Sequence, residues 1–319
     1  LGLHEKFRRV VDTSIVVPFY MFRDYEFIRY RDIAGLPFLV QPLVGAYILS
    51  SAAGLQTSMI FELDIERSMK TKKLLIMPST IVGLSSTWRK VYNYVDSGGN
   101  VYTSVLRGIS NIRALHESPT HLWMELFGVE NILEAGSIGY KIYGVETVEF
   151  VRDFGEFKKG DRVDIEVQEP IYTYLARPID AETIAIDKNG NPVIFKVRRG
   201  MGSAYLSLIP IEIIVARQEN IRWSHNYHRI YESIATDSKI ERLYKCDSPE
   251  VEIVTYSSGE REIVIAVNHG FEKKVKVTHV RTISGIRKIG GDAEATLLDT
   301  STIELKMPKK GTIIIEVNH

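Results

Sequence analysis

An excess of charge of either sign is missing from this chain: 40 Lys and Arg stand against 40 Asp and Glu over 319 residues. Without a basic surplus there is no electrostatic case for a nucleic-acid partner or an anionic membrane. Cysteine is nearly absent. The single thiol, Cys246, excludes an internal disulfide and a Cys-based structural zinc site, and it suits a reducing compartment. A clean apolar run of membrane-spanning length is lacking too. The longest stretch, Leu36–Leu55, is interrupted by Pro37, Gln41 and Pro42 and reads as a buried core helix. No signal-peptide pattern opens the chain, so a cytoplasmic location is expected. The first residue is leucine, which leads us to expect a piece of a longer protein with its N-terminal region missing.

Signatures of self-contained catalysis are also scarce. After the first apolar run comes PFYMFRD, not G-x-G-x-x-G, and there is no Walker loop, H-E-x-x-H or G-x-S-x-G. No cofactor is expected. His225 and His228 lie three apart, a spacing that can chelate a metal, but no third ligand clusters with them in sequence; a polar helix face is the plainer reading and no metal is expected. His116 and His121 flank a proline-capped loop and read as solvated. Glu62, Asp64 and Glu66 alternate at a strand end, which is more simply a solvated terminus than the paired carboxylates of glycosidic chemistry. Ser104 lacks a flanking glycine turn, and Cys246 sits in a linker, so neither is expected to be a nucleophile.

What is present is a βαβ unit at Lys73–Gly108. Leu74–Met77 is an apolar run closed by Pro78, as in a parallel strand buried on both faces. Ser85 or Ser86 can cap a helix whose Trp88, Val91, Tyr92 and Val95 share one face, Gly98-Gly99 stops it, and Val101–Leu106 is the next strand. Strands at Thr13–Tyr20 and Thr57–Leu63 with a helix from about Leu36 to Ala53 complete an open, doubly wound parallel sheet. Ligands of such sheets sit beyond the C-terminal strand ends, which groups Tyr20–Tyr25, Pro78–Thr80 and Ser104–Asn111 along one edge. The aromatic and charged loop there, with Tyr20, Arg23, Asp24, Tyr25 and Tyr30, reads either as packing against a missing neighbour or as a sugar-binding wall.

From Ile138 to Leu208 the pattern turns to strands: Val145–Val151, Arg162–Val167, Ile171–Arg177, Thr183–Asp187, Pro192–Val197 and Ala204–Leu208. Asp187-Lys188-Asn189-Gly190-Asn191 is a hairpin signal, Arg199-Gly200-Met201-Gly202 a second tight turn, and Asn220–Thr236 a helix. From Ser238 six short strands recur without helices, as in a small antiparallel β-sandwich. The expected division is therefore 1–11 as a linker or helix end from a missing N-terminal region, 12–237 as an α/β domain and 238–319 as the sandwich.

KLLIMPSTIVGLSSTWRKVYNYVDSGGNVYTSVLRG resembles the central βαβ of the glutamine-amidotransferase-like domain, called the trimerisation domain, of family 42 β-galactosidases. It shares the proline-closed strand, the helix and the Tyr94-Val95-Asp96-Ser97-Gly98-Gly99 stop. ETIAIDKNGNPVIFKVRRGMGSAYLSLIP is similar to another part of such domains, through Asp187, Gly190 and Pro192 and through Arg198 or Arg199 with Gly200 and Gly202. IVIAVNHGFEKKVKV and the closing GTIIIEV resemble the small C-terminal domain of the same enzymes, and VVPFYMFRDYEFIRY looks like archaeal barrel-type glycosidases, mannanase-like and endoglucanase-like. The resemblance implies a flavodoxin-like (class I glutamine-amidotransferase-like) α/β sheet with β-rich additions, followed by the sandwich. Amidotransferases carry a nucleophilic cysteine at a sharp turn after a strand; the matching turn here, Ser104–Gly108, has none.

What the resemblance implies for function is a non-catalytic C-terminal region of a glycoside hydrolase acting on β-linked sugars. Its partners would be its own N-terminal barrel and further copies of itself, with an oligosaccharide as possible ligand. Tyr20, Arg23, Asp24, Tyr25 and Arg107 are the expected sugar-binding or barrel-facing residues. Two alternatives remain open: a carbohydrate-binding module, and a free-standing hydrolase with its site at the C-terminal strand edge.

Overall fold

A computed structural model describes residues 6–18, 36–68, 73–80, 84–105, 120–132 and 139–319. By its contacts the chain divides into a unit of residues 13–47 and 58–240 and a unit of residues 1–12, 48–57 and 241–319. The site residues expected from sequence, Tyr20, Arg23, Asp24, Tyr25 and Arg107, lie outside the described residues, as do Tyr30 and His116.

The first unit is built on a mixed sheet. Short segments buried at nearly every residue, with no alternation, form β2 (Thr13–Val17), β4 (Leu74–Thr80) and β5 (Asn100–Val105), because strands covered on both faces have no solvent side to mark. They pair in parallel, β2 with β4 and β4 with β5, and β12 (Gly202–Ser207) joins β5 in parallel. From there the sheet turns antiparallel through β11 (Pro192–Arg199), β10 (Glu182–Ile186), β7 (Tyr140–Phe150) and β8 (Arg162–Thr173). With β3 (Thr57–Phe61) at the opposite edge, the order is β3-β2-β4-β5-β12-β11-β10-β7-β8. The unit is thus α/β at one side of the sheet and an antiparallel meander at the other.

Helix α1 (Leu36–Ala52) runs in the apolar stretch and stops at Gly54, whose φ of +71° suits glycine. It carries Pro42 and buries Leu43, Ala46 and Leu49, as a core helix does, while Val40 and Val44 are exposed among the described residues. Among the described residues no helix is long and apolar enough to cross a membrane. Helix α2 (Ile65–Ser68) is one turn, α3 (Ser85–Asp96) buries Trp88, Val91, Tyr94 and Val95 as its spacing predicts, and α4 (Thr120–Phe127) meets it through Phe127, edge-on to Trp88 at 6.2 Å. A two-stranded ribbon of β6 (Val129–Asn131) and β9 (Ala176–Pro178) follows.

Several expectations change here. Arg162–Val167 and Ile171–Arg177 are not two strands; β8 runs through Pro170 because it is an edge strand, with a register shift between Ile142 and Gly144 of its partner absorbing the proline. Asn220–Thr236 is not one helix. Trp223–His225 is a single 3-10 turn, Asn226 breaks the run at φ +57°, and α6 begins only at His228 and runs to Asp237. The apolar run after β12 hides α5 (Ile211–Ala216), launched by Pro210.

The second unit is a sandwich of a five-stranded and a four-stranded sheet, ordered β1-β14-β15-β20-β17 and β13-β16-β19-β18. The strands expected from alternation are present as β14 (Val251–Ser257), β15 (Arg261–Asn268), β16 (Lys273–His279), β18 (Glu294–Leu297), β19 (Thr302–Met307) and β20 (Thr312–Asn318). Their inward residues Val275, Val277, Ile303, Leu305, Ile313 and Ile315 form the core. Three further strands, β1 (Arg8–Arg9), β13 (Tyr244–Cys246) and β17 (Gly285–Gly291), carry no such alternation. Residues 48–57 join this unit through Gln56, which accepts the Thr255 N–H at 3.0 Å and donates to the Ile253 carbonyl at 3.1 Å.

Candidate functional site

The C-terminal ends of the parallel strands are where an open sheet exposes its crevice. Of the residues grouped there from sequence, Pro78–Thr80, Ser104 and Val105 are described, and the structure brings Ser79 and Ser104 together: the Ser79 N–H donates to Ser104 Oγ at 2.6 Å. Ser79 sits at φ +46°, a left-handed conformation unusual for serine, which turns its N–H and hydroxyl toward the neighbouring strand.

The centre of this cluster is a residue the sequence reading passed over. Glu212, in the first turn of α5, is fully buried and collects hydroxyls from three elements. Ser104 donates to its Oε2 in a short bond, Ser79 donates to the same oxygen at 3.3 Å, and Tyr231 of α6 donates to Oε1 at 2.9 Å. Tyr102 lies edge-on to Tyr231 at 5.4 Å. Burial pushes the Glu212 carboxyl above its ordinary value, and the Ser104 and Tyr231 hydrogen bonds pull it part of the way back. Burial, and then the charge of Glu212, drive the phenols of Tyr102 and Tyr231 far above theirs. Helix α1 closes the cluster from outside: at Gly45 a Cβ would meet the Glu212 carbonyl oxygen at 1.9 Å, so only glycine lets the two backbones approach. The signal that marks Glu212 is a lone acid inside LIPIEIIV, a placement tolerated only with partners waiting.

Chemically this arrangement seals rather than opens. Ser104 and Glu212 have no solvent-accessible surface, and the carboxylate is already occupied by hydroxyl donors. Ser104 lies within β5, one residue before its end, and is fully buried. Cys246, in the other unit, is no substitute: burial pushes its thiol up to about 11, which leaves little thiolate at neutral pH.

The remaining sequence candidates resolve individually. Glu62 is buried and accepts a hydrogen bond from Thr87 at 3.1 Å, whereas Asp64 and Glu66 are solvated as expected. His225 is half exposed and turned onto the Asp164 carbonyl at 2.8 Å. At the N-terminal ends of β5 and β12 the two glycine motifs meet: the Met201 N–H donates to the Asp96 carbonyl at 3.1 Å, and a Cβ on Gly202 would lie 1.9 Å from the Gly99 carbonyl oxygen. An open groove of ≈ 590 Å³ lies at this end, lined by Asn100, Lys196, Arg199, Ser203 and Asp237 among others. It mixes both signs of charge and lies opposite the crevice edge. The hairpin motif is organised by Asp187, which accepts the N–H groups of Asn189 and Asn191 at 2.8 Å each and the Tyr140 hydroxyl at 3.0 Å.

No family profile and no curated protein matches the chain. Among solved structures, a β-galactosidase from Bacillus circulans sp. alkalophilus aligns over 98% of this chain and 42% of its own, with TM-score 0.63 and 13% identity. A GH42 β-galactosidase from G. stearothermophilus aligns over 98% of this chain and 41% of its own, with TM-score 0.61 and 16% identity. An α-L-fucosidase, isoenzyme 2, from Paenibacillus thiaminolyticus aligns over 98% and 49%, with TM-score 0.63 and 10% identity. The fold resemblance to family 42 β-galactosidases expected from the motifs is therefore present, and the chain spans less than half the length of these enzymes.

Proposed function

We infer that this chain is the non-catalytic C-terminal region of a glycoside hydrolase acting on β-linked sugars, serving docking and self-association, with its aromatic loop bordering the active site of a preceding barrel. The observation that carries the reading is the extent of the fold match. Nearly the whole chain aligns, while more than half of each β-galactosidase has no counterpart in it. The crevice edge agrees: where an amidotransferase-type sheet would present a thiol, this one has a closed hydroxyl–carboxylate cluster. We read the α/β unit as such a sheet, flavodoxin-like in its parallel part and without glutaminase chemistry. The fucosidase neighbour means that the fold leaves the sugar and linkage open.

An exposed apolar stripe suits the docking role. Met59 and Phe61 stand on the same face of edge strand β3, about half exposed, and Leu63 follows them at 62%. An edge strand with exposed apolar side chains is a hazard in a monomer and an asset at an interface. Light scattering on the purified chain tests this: self-association is expected, and Phe61→Glu is expected to shift it toward monomer. A chain that remains monomeric at every concentration contradicts the assembly role.

A further inference from the structure

Inside the sandwich, three ligating side chains from both sheets converge on one point. Glu262 lies near the start of β15, His279 ends β16 in the facing sheet, and His319 follows β20. Their ligand atoms all lie within 4.8 Å of one another, the one set of three metal-competent groups among the described residues. His279 Nε2 is 3.4 Å from Glu262 Oε2, and His319 Nε2 is 3.5 Å from Glu262 Oε1. Neither nitrogen makes a hydrogen bond of ordinary geometry, although the His279 side chain is fully buried and His319 is 9% exposed. The buried lone pair of His319 Nε2, aimed at a carboxylate, is costly unless something takes it, and His279 Nε2 beside it also lacks a hydrogen bond of ordinary geometry.

We propose that Glu262, His279 and His319 form a binding site for a divalent transition metal of the zinc class. Ligand bonds of about 2.1 Å in a tetrahedron place ligand atoms about 3.4 Å apart; each histidine already stands near that distance from one Glu262 oxygen, His279 from Oε2 and His319 from Oε1, so the carboxylate either turns to offer one oxygen to the ion or binds through both. A mixed nitrogen and oxygen set selects zinc-like ions over calcium or magnesium. Outer contacts are in place. The Tyr244 hydroxyl donates to Glu262 Oε2 at 2.6 Å, and His319 Nδ1 lies 3.1 Å from the Thr282 carbonyl, which holds the proton there and frees Nε2. On His279 the Arg281 N–H meets Nδ1 at 2.9 Å, so the neutral ring carries its proton on Nε2. Metal binding requires that proton on Nδ1, so His279 must give up the Arg281 N–H for the Arg281 carbonyl, 3.1 Å away, and the two rings, now stacked at 4.5 Å, must turn so that their lone pairs converge. A shallow groove bordered by Glu260, Arg261, Asn318 and His319 gives an entry path and room for water as fourth ligand. The site lies wholly within the sandwich unit, and its role is to staple the two sheets.

Equilibrium dialysis of the full chain against zinc alone, with metal analysis, tests the proposal, and cobalt(II) absorption in the visible reports the ligand field. One zinc per chain is expected. Its affinity should fall at least tenfold in both His279→Gln and His319→Gln and stay unchanged in His225→Gln. No stoichiometric zinc on the folded chain, or wild-type affinity retained by either of the first two variants, overturns it. Should His279→Gln fail to fold, His319→Gln at the rim and the loss of its cobalt bands decide the question alone.

Discussion

Glu212 shows how a single buried carboxyl can gather hydroxyls from three elements. Its carboxyl is raised in the fold, so between the ordinary value of 4.5 and the raised one the native state keeps a proton that the unfolded chain has released. The stability this residue contributes is full below that range and is lost as pH rises through it. Glu212→Gln keeps the shape and cannot ionise. Denaturation of both proteins from about pH 4 to about pH 8 should show the variant gaining on the parent as pH rises; a deficit that widens with pH contradicts a carboxyl raised by burial. At this scale the sequence was only partly legible. Strand order alone places Ser104 and Ser79 on the correct edge, but their partner is remote in sequence and comes from a short helix inside an apolar run with no helical spacing to mark it. Glu262, His279 and His319 were equally hidden, because two of them sit at strand ends where period-two alternation says nothing about direction.

Elements were legible wherever one face is wet. Helix α3 follows its apolar spacing from Trp88 to Val95, and the alternating sandwich strands were found to within a residue or two at their ends. Legibility failed where backbone geometry decides. Asn226 breaks what looks like a continuous helix, and β8 passes a proline that only an edge strand accepts. Glycines at close backbone approaches carry the same kind of information and can be tested. Gly45→Ala would drive a methyl into the Glu212 carbonyl, and Gly202→Ala would do so at the Gly99 carbonyl. Each should cost about 1–3 kcal/mol in chemical denaturation, the range for forcing extra atoms into a packed site. By contrast Gly285→Ala, where the added carbon meets nothing within 4 Å, should cost under about 1 kcal/mol. Equal losses at all three positions would mean that the helix-to-helix and turn-to-turn approaches are looser than described.

For the whole molecule, the order of an α/β unit and a β-sandwich was readable from composition, because helical spacing ends and short strands take over. The contribution of residues 48–57 to the sandwich unit was not, since it rests on the amide of Gln56, a residue with no pattern around it. The role proposed for this chain is to support chemistry carried out elsewhere. The measurement that addresses it most directly is turnover by the purified chain on nitrophenyl β-glycosides and on glutamine. Release no faster than in buffer is expected with either substrate class. Sustained hydrolysis that follows the chain through purification, and is lost in a variant of one of its own residues, would contradict it.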